Sequence, residues 1–147
     1  MKDYMNFFLD EEQVISASDQ LDVGIEFAYM LQKEDLDYLL EVWDQYSEEW
    51  KSGICFFAGC APLEDSLNFL IHGLNDPNEE IKFQALCSIL QSAEEELEDF
   101  GNLPSILNPL LIKRLISEVM HSSQQHLLEE DFPEVLPELR KKSQNIN

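Results

Sequence analysis

Basic residues are scarce here: nine Lys and Arg stand against 30 Asp and Glu in 147 residues, a formal net charge of −21. That balance excludes most nucleic-acid binders, because phosphate affinity is built on Lys and Arg. It disfavours anionic membrane surfaces for the same reason. Cysteine is also sparse. The odd count of three, Cys55, Cys60 and Cys87, is a poor basis for a disulfide framework. Each sits among apolar residues and reads as a small buried hydrophobe. Free thiols point to a reducing compartment, so the expected location is the cytoplasm. Long apolar runs are missing. No segment reaches the about 18 residues of a membrane span, and the N-terminal apolar stretch is too short for a signal sequence.

Catalytic signatures are missing as well. There is no Gly-rich phosphate loop, Gly-x-Ser-x-Gly, Glu-x-x-His or calcium-loop pattern. His72, His121 and His126 are scattered, and Cys55 and Cys60 have no second pair to complete a zinc site. The expectation is a non-enzyme without metal or cofactor.

What is present is a core. Hydrophobic residues make up 44% and aromatics 10%, which argues against a disordered acidic chain. The length fits one domain, placed at residues 1–142, with a polar tail at 143–147 expected to fray. Apolar spacing is helical throughout. Leu21, Ile25, Ala28 and Leu31 predict a helix over 18–32 with a cap in the Ser16–Ser18 stretch, and Gly24 as a mild penalty. Leu36, Leu39, Leu40, Trp43, Tyr46 and Trp50 predict one over 34–50, ended by Lys51-Ser52-Gly53. Residues 54–61 read equally as helix or strand. Pro62 opens a helix carrying Leu63, Leu67, Leu70, Ile71 and Leu74. After the turn Asn75-Asp76-Pro77-Asn78, the next helix carries Ile81, Ala85, Leu86, Ile89, Leu90 and Ala93, and Gly101 stops it. Asn108 and Pro109 start a helix facing inward with Leu111, Leu115, Ile116, Val119 and Met120. Pro133 and Pro137 divide the remainder. The expected fold class is all-α, five or six helices of 12–17 residues in an irregular stack of hairpins or a compact bundle.

Residues 67–90 resemble one HEAT-type helical repeat. The resemblance is carried by Asp76 in the turn, Ile81 and Lys82 five and six positions later, and Ala85. It implies a HEAT-like solenoid, in which Asp76 and Lys82 bond neighbouring helices and keep hairpins stacked. Such stacks bind macromolecules and rarely do chemistry.

The charge is unevenly placed. Residues 1–50 hold 14 acids and two bases, whereas residues 101–147 hold six acids and five bases. On a continuous helix over 34–50, Asp37, Glu41, Asp44 and Glu48 fall in one stripe, with Tyr38 and Tyr46 beside it. No Lys or Arg lies between Glu34 and Trp50 to offset them. A second cluster, including Glu94, Glu95 and Glu98, ends a helix or begins a loop. Self-repulsion on this scale lowers stability, so a use is expected. These residues are the candidate contacts for a basic protein partner. The composition resembles a small acidic immunity protein that inhibits a nuclease-type toxin. The alternative is a helical-repeat adaptor or subunit, with Trp50, Phe56 and Phe57 as its exposed apolar patch.

Overall fold

A computed structural model describes residues 2–16 and 21–145. Their regular structure is helical throughout: ten α-helices and one 3-10 turn, with no strand among the described residues. That exceeds the expected five or six helices, and lengths run from 5 to 22 residues. The residues cluster into two compact units that divide after Ser88. The division falls inside a long helix and not at a linker, so composition carries no sign of it.

The N-terminal unit begins with α1 (Asp3–Leu9) and α2 (Glu11–Ile15). Both are too short for periodicity to reveal, and too short to hold alone in water. Packing holds them: Met5, Phe7, Phe8 and Val14 are buried. Asp10 caps α2 by accepting the Gln13 N–H at 3.2 Å. α3 (Leu21–Ala28) is the described part of the first predicted helix; the Ser18 end of its cap lies outside the described residues. Ala28 and Leu31 are buried as expected and Gly24 is inside as well, while Leu21 is exposed. Gly24 is a requirement here and not a penalty, since a Cβ would lie 2.5 Å from the Phe57 ring.

The predicted helix over 34–50 is broken. α4 (Lys33–Glu41) gives way to a 3-10 turn at Trp43–Gln45, and α5 (Glu48–Ala58) starts afresh. Ser47 causes the restart: its hydroxyl accepts the Trp50 N–H at 3.3 Å, and Glu48 and Glu49 favour the new dipole. Tertiary bonds fix the break. Trp50 Nε1–H donates to the Phe8 carbonyl at 2.8 Å, and the Tyr46 hydroxyl donates to the Leu9 carbonyl at 2.7 Å. These two bonds satisfy carbonyls that α1 leaves open at its C-terminus. Lys51-Ser52-Gly53 therefore lies inside α5, and the stretch from 54 is helix, not strand. Trp50 and Phe57 belong to the core at 0% and 1% exposure, which removes them from any surface patch.

Pro62 stands one residue ahead of α6 (Leu63–Leu74), in the cap position. Leu63, Leu67, Leu70 and Leu74 are buried along it. The Asx turn forms as expected. Asp76 accepts the Asn78 N–H at 2.9 Å, and Asn78 accepts the N–H groups of Glu80 and Ile81, which starts α7 (Glu79–Phe100). The opening turns of α7 close the unit against α5 and α6: the Ser88 hydroxyl donates to the Cys55 carbonyl at 2.8 Å.

The C-terminal unit takes the rest of α7, then α8 (Pro109–Met120), α9 (Gln125–Asp131) and α10 (Val135–Gln144). Gly101 ends α7 with φ +78 and donates its N–H to the Leu97 carbonyl at 2.8 Å. Only glycine adopts that left-handed stop without strain. Asn108 caps α8 through the Leu111 N–H at 2.9 Å. Ile112, rather than Met120, completes the buried face of α8; Met120 is exposed. Pro133 separates α9 from α10, but Pro137 sits within the first turn of α10, where its missing N–H costs no helical bond. α10 packs on α8 and continues to Gln144, so residues 143 and 144 are helical instead of a loose tail.

Candidate protein-binding surface

Asp37, Glu41, Asp44 and Glu48 are all exposed, but they do not share one helix. Asp37 and Glu41 stand one turn apart on α4. Asp44 belongs to the 3-10 turn, and Glu48 to the first turn of α5. The carboxylates thus follow a bent stretch of chain, not the straight stripe that one helix gives. Asp37 lies 3.8 Å from Lys33 on the same helix. Glu48 accepts from the Asn78 amide at 2.9 Å. Glu41 and Asp44 have no hydrogen-bond or ion-pair partner among the described residues. At Glu48 the acid also complements a helix N-terminus, which gives it a structural use besides any contact.

The two tyrosines divide. Tyr38 is exposed at 38% and is available to a partner. Tyr46 is half-buried and stacks on Trp50 with ring centroids 4.0 Å apart. One ring face and the hydroxyl are already engaged, and burial raises its phenol above the ordinary range. Tyr46 therefore supports the bend that presents Asp44 and Glu48. Glu11 contributes from α2: it accepts the Ser47 N–H at 2.7 Å, and hydrogen bonding from the Ser47 side chain first, then its backbone, holds its carboxyl below the usual range.

The second cluster lies in the last turns of α7 and is not a free acidic surface. Glu94 is buried, at 6% exposure. Its two oxygens accept the N–H groups of Glu134 at 3.0 Å and Val135 at 2.7 Å, so it caps α10 from another helix. Glu94 is removed from the contact set on that ground, since both oxygens are occupied. Glu95 is exposed and accepts from Gln91 at 3.2 Å; Glu98 is exposed too. One carboxylate oxygen each from Glu94, Glu98 and Glu134 lie within 4.8 Å of one another. The N–H bonds to Glu94 account for its part in that gathering.

Asp76 accepts the Asn78 N–H within the turn. Lys82, its expected companion, is half-buried. Cys55 is fully buried, and burial pushes its thiol up to about 12, so it stays protonated and inert at neutral pH. His72 packs its ring against Trp43 at 5.0 Å.

Sequence reading missed a groove in the N-terminal unit. It holds about 610 Å³ and is lined by Lys2, Tyr4, Tyr29, Met30, Pro62 and Asp65 among others. Asp35, at the start of α4, anchors one wall. It accepts from the Gln32 N–H at 3.0 Å, from the Tyr4 hydroxyl, and from Lys2 at 3.3 Å. Tyr29 and Met30 follow the last residue of α3 and are exposed at 68% and 53%. They gave no signal because an apolar pair at a helix end reads as core until the helix end is known.

No helix among the described residues is long and apolar enough to cross a membrane. Compared with family models, curated proteins and solved structures, the chain matches none.

Proposed function

We propose that this chain is a binding protein without catalytic activity that captures and neutralises a basic protein partner. Its most concrete form is a cytoplasmic immunity protein that blocks a nuclease-type toxin domain. One observation carries the reading: Asp37, Glu41, Asp44 and Glu48 are all exposed around the α4–α5 bend, with Tyr38 exposed beside them. Lys33 is the only cation in residues 33–50, and it lies beside Asp37. A nuclease groove is positive because its substrate is a polyanion, so such a surface is complementary to it. Charge complementarity also speeds capture, toward about 10⁸–10⁹ M⁻¹s⁻¹ at low salt.

The test is a pull-down from native lysate at low and moderate salt, with the retained protein identified by mass. A single basic partner whose nuclease activity this chain abolishes supports the reading. Charge reversal at Asp37, Glu41, Asp44 and Glu48 together is then expected to weaken capture at least about a hundredfold, given couplings of ~1.5 kcal/mol or more per close charge pair. Unchanged capture by that variant removes the site assignment.

A second reading, a helical-repeat adaptor or subunit, is favoured by the C-terminal unit. Phe100 and Leu110 are exposed at 73% and 81% there. Large exposed apolar side chains mark interaction sites when they gather in a patch. In this reading the chain is a HEAT-like stack within a larger assembly. Recovery of a multi-subunit complex regardless of salt favours it over the inhibitor.

A further inference from the structure

We draw no further inference here: the strongest candidate, the groove of about 610 Å³ in the N-terminal unit lined by Lys2, Tyr29, Met30 and Asp65 among others, sets one cation against one carboxylate, and nothing in the structure shows what covers it.

Discussion

The two units draw on different chemistry. The N-terminal one, through Ser88, holds 13 of the 15 aromatic residues; the other holds Phe100 and Phe132. The N-terminal unit has 19 acids and four bases, the C-terminal one 11 acids and five bases, so −15 of the −21 lies in the first. In the first, ring packing builds the core: Phe7, Phe8 and Phe57 meet edge to face, and Trp43 packs on Trp50 and Phe69. In the second the core is aliphatic, with Leu115, Val119, Val135 and Leu139 nearly fully buried. Its carboxylates hold structure together, as Glu94 caps α10 and Glu129 pairs with Arg140. Both units use carboxylates as fold elements, Asp10, Asp35 and Asp76 in the first and Glu94 in the second, and the first also holds the exposed group around the α4–α5 bend.

That contrast makes predictions. The largest effect belongs to the aromatic core. Trp50→Ala should cost about 3–5 kcal/mol, read by urea unfolding, because it leaves a large cavity and an unmet Phe8 carbonyl. A loss below ~1 kcal/mol would break the claim that rings carry this unit. Next comes the buried acid. Glu94→Ala should destabilise by about 1–3 kcal/mol by leaving two N–H groups of α10 unsatisfied. Hydrogen exchange at Glu134 and Val135 should speed up first.

The Glu129–Arg140 pair comes third. Arg140 hydrogen bonding holds the Glu129 carboxyl below its usual range. Its contribution is therefore present above the unfolded pKa of about 4.3 and is lost as pH falls through the lower folded value. Both side chains are 37% exposed, so Glu129→Gln should cost less than ~1 kcal/mol at neutral pH and flatten the acid limb of the stability curve. The smallest effect is on the exposed acids. Glu41→Gln with Asp44→Asn should move stability by no more than ~0.5 kcal/mol. A large destabilisation there would show that these acids, too, are structural.

Legibility followed the length of the elements. Asn78, Asn108 and Gly101 announced helix ends because each acts on backbone groups within a few residues. α1 and α2 were not legible, since packing alone makes them helical. The 34–50 helix was misread because a sequence pattern cannot weigh the Ser47 cap against a continuous apolar stripe, nor foresee bonds from Tyr46 and Trp50 to carbonyls some 40 positions away. The same limit governed the site. Asp37, Tyr38, Glu41 and Asp44 lie outward as charge patterning implied. Glu94 looks identical to Glu95 in a string of acids, and only the approach of α10 makes it a cap.

Trp43 and Trp50 are the chain's only tryptophans, and both belong to the N-terminal unit. Their emission is thus a private signal of that unit, whereas far-ultraviolet ellipticity counts helices from both. Units that melt together give superposable curves from the two signals. If the aliphatic unit yields first, ellipticity drops while the tryptophans still emit from a dry, ring-lined interior.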